Sequence, residues 1–130
     1  AILIDAPCSA TGTFRRHPEV LINRSEADIA SRVALQRDII ANAVTLLKPG
    51  GTLVFATCSL EPAEGEHQAD WISGSFPQLA PAPVTAATHP ELAPAIGANG
   101  HLRTYPGLGW PEIGAGGMDG FFVARYQHGL

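Results

Sequence analysis

The sequence predicts an α/β fold, the second half of a doubly wound sheet. Three observations carry the prediction. Short runs at Ala1–Asp5, Leu53–Ala56 and Gly120–Gln127 combine apolar, β-branched and aromatic residues over the length of a buried strand. A long amphipathic helix pattern lies between the first two runs. The full order, β–α–β–α–(β)–β, is that of strands alternating with the helices that cover them.

The first run ends at Asp5 and opens a long loop, Ala6–Arg24, turned by Pro7, Gly12 and Pro18 and carrying Arg15, Arg16, His17 and Arg24. Ser25 reads as a helix N-cap, with Glu26 and Asp28 in the first turn, where the helix dipole favours acids. Ile29, Val33, Ile40, Val44 and Leu47 then share one face. Lys48-Pro49-Gly50-Gly51 ends the helix with a cation, a breaker and two permissive residues. The second strand is expected over Thr52–Thr57. A second helix is expected from Pro62, tolerated at a helix start, into the Ser73 region. Trp71 and Ile72 mark its buried side, and Glu64 and Glu66 are assigned to its solvated face. Leu79–Val84 reads as an edge strand, because its prolines exclude a central position. Thr85–Gly117 reads as loop with an extended piece at His101–Tyr105, and Gly120–Gln127 as the last strand, with Phe121 and Phe122 in its core.

A chain of 130 residues with 45% apolar and 15% charged residues fits one folded domain. The net charge of −4 excludes a generally basic, nucleic-acid-coating surface. No apolar run reaches the length of a membrane-spanning helix, so no membrane partner is expected. Two cysteines do not make a secreted disulfide framework, and a cytoplasmic setting follows by default. His89, His101 and His128 lack metal-ligand spacing, and no metal is expected. Ala1 already lies inside a strand-like run. The chain is therefore expected to be a fragment whose first strand has an uncovered edge, prone to self-association.

The chemistry concentrates at the two cysteines, each just beyond a predicted strand. If those strands are parallel neighbours, about 4.8 Å apart, both sulfurs face the crevice at the carboxyl ends of the sheet. A thiolate is a strong carbon nucleophile when its pKa is lowered. Cys58 sits between a strand end and a helix start, and Cys8 follows the rigid Pro7. The competing readings are a buried core thiol and a Cys8–Cys58 disulfide. Asp5 is a carboxylate at a strand end, either a loop cap or a site residue. Arg15, Arg16 and Arg24 are solvated charges or phosphate contacts, and His17 packs in the loop or touches substrate.

Asp5-Ala6-Pro7-Cys8-Ser9-Ala10-Thr11-Gly12 resembles the DAPCSGTG motif of RNA cytosine-5 methyltransferases of the RsmB/Nop/Sun type. Phe14-Arg15-Arg16-His17-Pro18-Glu19 resembles its continuation. Lys48-Pro49-Gly50-Gly51 and Thr57-Cys58-Ser59-Leu60 resemble the later motif with the Thr-Cys nucleophile. Leu102-Arg103-Thr104 and Asp119-Gly120-Phe121-Phe122-Val123-Ala124-Arg125 resemble the C-terminal signature. Ala10 stands where the family usually has Gly, and Glu64-Gly65-Glu66 where it has Glu-Asn-Glu. The resemblance implies the C-terminal half of a Rossmann-like S-adenosyl-L-methionine-dependent methyltransferase sheet. It implies methyl transfer to C5 of cytosine in rRNA or tRNA, with Cys58 adding to C6, Cys8 aiding product release and Asp5 at the cofactor. Pro7, Arg15, Arg16 and His17 become substrate-binding candidates.

The glycine-rich turn that holds the family's cofactor is missing. Gly97-Ala98-Asn99-Gly100 and Gly114-Ala115-Gly116-Gly117 follow no predicted strand. Residues 1–130 are thus expected to be a partial methyltransferase catalytic domain, without its cofactor-binding N-terminal half or an RNA-binding region. The rival readings are a non-catalytic half-domain that binds RNA or a partner, and a redox or hydrolytic cysteine protein. Within the methyltransferase reading, Cys8 is the alternative nucleophile, because DNA cytosine methyltransferases use a Pro-Cys.

Overall fold

Five strands and two helices follow one another in the computed structural model, which describes residues 1–113 and 117–130. In chain order they are β1 (Ile2–Asp5), α1 (Glu26–Leu46), β2 (Thr52–Thr57), α2 (Glu66–Ser75), β3 (Leu79–Pro81), β4 (Leu102–Thr104) and β5 (Phe121–His128). Short 3-10 turns occupy Thr11–Thr13, Pro18–Leu21, Pro62–Glu64 and Pro90–Ala95. The last of these falls within the stretch expected to be loop.

β1 and β2 are parallel neighbours, with Ile4 beside Phe55 and Asp5 beside Ala56. β5 runs antiparallel to β2, from Thr57 beside Phe122 to Thr52 beside Gln127. The far edge of β5 is shared: β4 pairs with its first residues and β3 with its last. β1 and β2 thus form the one parallel pair among the described strands, and the closing strand reverses direction.

Alternation puts Ile4, Leu53, Phe55, Phe122, Ala124 and Tyr126 on one face, where they join Ile40, Val44 and Leu47 of α1 and the adjoining turn, and Ala69 and Ile72 of α2, in one core. Both helices therefore cover the same face. On the other face Leu3 is 69% exposed and Val54 and Val123 are half-buried. Phe122 is core as expected, whereas Phe121 is 40% exposed, because neighbours in a strand point to opposite faces.

α1 starts as read. The Asp28 amide donates to Ser25 Oγ at 3.2 Å and the Ser25 amide to Asp28 Oδ2 at 3.0 Å, a reciprocal capping box. α2 departs from the expectation. Pro62–Glu64 forms a separate 3-10 turn, and Gly65, at φ −131° and ψ −96°, breaks the helical phase before Glu66. The Tyr126 hydroxyl donates to the Ala69 carbonyl at 3.0 Å and fixes α2 to the sheet. Trp71 packs edge-on against Phe76, with the Arg37 guanidinium 4.9 Å from the Trp71 ring centroid.

Candidate active site

The parallel pair brings the two cysteines together. The Ala6 amide extends the ladder to the Ala56 carbonyl at 2.9 Å, after which both strands end. The sulfurs of Cys8 and Cys58 then lie 3.5 Å apart. Both are free thiols. The separation suits an S–H···S contact and is far beyond the ~2.05 Å of a disulfide. Cys8 is the more buried and Cys58 is part-exposed. With the Cys8 thiol donating, the Cys58 thiolate is stabilised and its pKa falls from 9.0 to about 7, although burial opposes the shift. The same contact, with burial, pushes Cys8 well above the thiol range.

Glu64 corrects the sequence reading. Its side chain is fully buried, not solvated. The Ser9 amide donates to it at 3.0 and 3.2 Å, the Ser59 hydroxyl at 2.8 Å and the Gln36 side-chain amide at 2.9 Å, and the Ser9 hydroxyl also donates to it. Burial of a carboxylate is tolerated here because its acceptor positions are filled by donors. Glu66 is not free in solvent either: Arg103 donates to both of its oxygens at 2.9 and 2.7 Å, and also to the Ser59 carbonyl. Arg103 holds the Glu66 carboxyl below its ordinary range, against the burial that raises it.

Gly12 links the thiols to β5. Its amide donates to the Cys58 carbonyl at 2.9 Å, and its own carbonyl accepts from the Gly120 amide at 2.7 Å. A Cβ on Gly12 would lie 2.1 Å from the Gly120 oxygen, so only glycine admits this approach.

The remaining candidates separate. Asp5 is exposed at the carboxyl end of β1, on the crevice side of the parallel pair. Pro7 is exposed, and its carbonyl accepts from Gln36 at 2.9 Å. Arg15 and Arg16 converge on Asp119: Arg15 Nε lies 3.1 Å from its Oδ1 and Arg16 Nε 3.0 Å from its Oδ2. The Arg16 guanidinium keeps Asp119 below the ordinary carboxylate range. Both arginines line an open groove with Thr104, Trp110, Met118 and Phe121. His17 is not brought to the thiols; it is exposed, with Nδ1 3.4 Å from Glu19. Arg24 is tied to the thiol loop, its Nε donating to the Ser9 carbonyl at 2.9 Å.

Sequence reasoning missed Ser9, Ser59, Gln36, Glu64 and Arg103 as site residues. The available signal was the repeated Cys-Ser dipeptide at Cys8-Ser9 and Cys58-Ser59. Of the glycine runs, Gly97–Gly100 forms a tight turn before β4, its Gly100 amide bonding to the Gly97 carbonyl at 3.0 Å. In the other run residues 114–116 lie outside the described residues. Among the described residues no group of three or more His, Cys, Asp or Glu could hold a metal ion, and no helix is long and apolar enough to cross a membrane.

The family model described as 16S rRNA methyltransferase RsmB/F matches residues 1–127. The chain is 42% identical over 124 residues to ribosomal RNA small subunit methyltransferase B of Klebsiella pneumoniae (strain 342), covering 95% of this chain and 25% of that protein. It is 36% identical over 127 residues to ribosomal RNA small subunit methyltransferase F of Cronobacter sakazakii, covering 98% of this chain and 25% of that protein. Among solved structures, PH0851 superimposes with a TM-score of 0.77 at 31% identity, over 95% of this chain and 25% of its own. NSun6 from Pyrococcus horikoshii, solved with SFG, superimposes with a TM-score of 0.70 at 27% identity, over 98% of this chain and 29% of its own. The chain thus spans about a quarter of the length of the curated relatives it matches. Because the family match runs from β1 into β5 and takes in both cysteine loops, the chain belongs to the 16S rRNA methyltransferase RsmB/F family.

Proposed function

We propose that this chain forms the catalytic half of a cytoplasmic enzyme that methylates C5 of cytosine in RNA, with S-adenosyl-L-methionine as methyl donor. The observation that carries the reading is the pair of free thiols 3.5 Å apart at the carboxyl ends of two parallel strands. Relatives named as ribosomal RNA small subunit methyltransferases support rRNA as the substrate class.

C5 of a cytosine ring is a poor nucleophile until the ring is activated. In this reading the Cys58 thiolate adds to C6, which places electron density at C5. The Cys8 thiol, its proton held toward Cys58, steadies the anion before attack. After methyl transfer a base removes the C5 proton, the C5–C6 double bond re-forms and the Cys58–C6 bond breaks. The sulfur leaves as a thiolate, stabilised again by Cys8. The target base must leave any stack to reach the crevice.

S-adenosyl-L-methionine, when bound, supplies an electrophilic methyl group. The exposed carboxylate of Asp5, at the crevice end of β1, suits a hydrogen bond to its amine or ribose hydroxyls. No glycine-rich turn follows a strand end beside Asp5 among the described residues, and we assign the rest of the cofactor site to a half that pairs along the open side of β1. On the substrate side, two guanidiniums against the single carboxylate of Asp119 leave positive charge beside Trp110 and Phe121, a setting for phosphate and nucleobase. We assign Arg15 and Arg16 to RNA on that ground, with Pro7 shaping the loop and His17 at its outer rim.

The test is covalent trapping by the intact protein on RNA containing 5-fluorocytidine, with S-adenosyl-L-methionine present. Fluorine blocks removal of the C5 substituent, so the adduct persists. Peptide mass spectrometry is expected to find it on Cys58. An adduct on Cys8 would reverse the two roles. No adduct on any tested RNA, with cofactor bound, would overturn the reading in favour of a non-catalytic domain.

A further inference from the structure

The two loops that carry the thiols are not held together by the strand ladder, which ends before Cys8 and Cys58. Beyond it they are joined by two direct bonds, the Gly12 amide to the Cys58 carbonyl at 2.9 Å and the Leu60 amide to Thr11 Oγ1 at 3.0 Å, and next to the cysteines themselves they meet on one buried carboxylate. Ser9, next to Cys8, gives it an amide and a hydroxyl, and Ser59, next to Cys58, gives it a hydroxyl. The Glu64 carbonyl also accepts from Thr57 Oγ1 at 3.2 Å, so Cys58 is clasped from both sides. Behind the carboxylate runs a relay: Arg37 Nε donates to Gln68 at 3.0 Å, Gln68 Nε2 to Gln36 at 2.9 Å, and Gln36 Nε2 to Glu64 at 2.9 Å. Each link polarises the next toward the buried acid.

We propose that Glu64 is a positioning residue that ties the Cys8 and Cys58 loops into one unit and thereby sets the two sulfurs face to face. It does not touch a substrate, because its carboxylate is fully buried and both oxygens are engaged by protein donors. A glutamine at this position keeps the shape but loses the charge: with its carbonyl toward the Ser9 and Gln36 amides, its NH2 faces the Ser9 and Ser59 hydroxyls, which must turn from donors to acceptors. The Ser9 amide keeps one of its two arms, and the charge-assisted bonds that draw in both loops become weaker neutral ones.

The catalytic consequence rests on the function proposed above, but the test needs neither RNA nor cofactor, so the two can fail separately. The intact protein is equilibrated with glutathione. Two thiols and one glutathione disulfide give the Cys8–Cys58 disulfide and two glutathione thiols, and the equilibrium constant reports how well the sulfurs are held together. Glu64→Gln is expected to lower that constant at least tenfold. Ser59→Ala, which removes one donor and leaves the acid in place, is expected to lower it about threefold, and it decides the matter if Glu64→Gln does not fold. Ile72→Val, a core change in α2 outside the clasp, serves as the control for general loosening. A folded Glu64→Gln or Ser59→Ala protein with a constant within twofold of the parent would overturn the proposal. So would an equal fall in Ile72→Val at matched loss of Tm.

Discussion

The guanidinium of Arg103 fills the space that a side chain on Gly65 would need. A Cβ at residue 65 would lie 2.6 Å from Arg103 Nη2 and 2.9 Å from Phe122 Cγ. Arg103 itself lies over the Phe122 ring, 5.1 Å from its centroid, and bonds to Glu66 and the Ser59 carbonyl. Gly65→Asn is expected to displace Arg103 and to cost about 1–3 kcal/mol, the usual range for overpacking. Urea denaturation of Gly65→Asn, Arg103→Ala and the double variant checks it. The double variant is expected to recover part of the loss, because the buried Phe122 wall remains.

Thiol reactivity is expected to follow pH with a low midpoint. Cys58 ionises at about 7 instead of 9.0, so its alkylation by iodoacetamide rises as pH increases through 7 and flattens above 8. The thiolate is the reactive form and the folded pKa is depressed, so reactivity is lost as pH falls through 7. Cys8→Ala removes the first cause of the shift, the donated hydrogen bond. Its midpoint is expected to move toward the ordinary value. An unchanged midpoint would show that Cys8 is not the donor.

Ala10 stands in the left-handed region, at φ 58° and ψ 23°. A side chain there costs about 1–2 kcal/mol relative to glycine, and the residue lies in the loop beside Ser9 and Thr11. Ala10→Gly is expected to stabilise the protein by about 0.5–1 kcal/mol, the remainder being offset by glycine's greater freedom in the unfolded chain. A rise in Tm checks it, and an unchanged or lower Tm would show that the loop carries no strain.

The open side of β1 predicts association of the 130-residue chain on its own. No described strand pairs along that side, and Leu3 is 69% exposed beside it. Light scattering at rising concentration is expected to show dimers or larger species. Leu3→Lys is expected to shift them toward monomer by adding charge to an edge strand. A monodisperse parent at high concentration would count against this.

Most of the scaffold was legible in the sequence, because its signals are local. The Ser25 cap, the Lys48–Gly51 stop and the run Thr52–Thr57 each specify their own backbone. The nearness of the thiols was legible too, since it follows from two strands ending at cysteines and lying parallel. Glu64 was not. Helical spacing from Pro62 puts it outward, but the 3-10 turn and the break at Gly65 change the phase and rotate it into the core. Its donors come from Ser9 and Gln36, 55 and 28 residues away, and no local pattern reports such a meeting. The fate of Arg15 and Arg16 was hidden for the same reason, since Asp119 reaches Arg16 from 103 residues along the chain, and Arg15 beside it.

β5 follows every other described strand in chain order, yet it lies inside the sheet, with β2 on one side and β3 and β4 on the other. During synthesis, β2 and the short strands β3 and β4 leave the ribosome without the neighbour that joins them. β1, α1 and β2 can assemble early, but the apolar faces of Phe55 and Ile72 stay open until Phe122, Ala124 and Tyr126 arrive. Pairing over so long a stretch of chain is slow to close. Until β5 arrives, the exposed strand edges and apolar faces are open to wrong pairings.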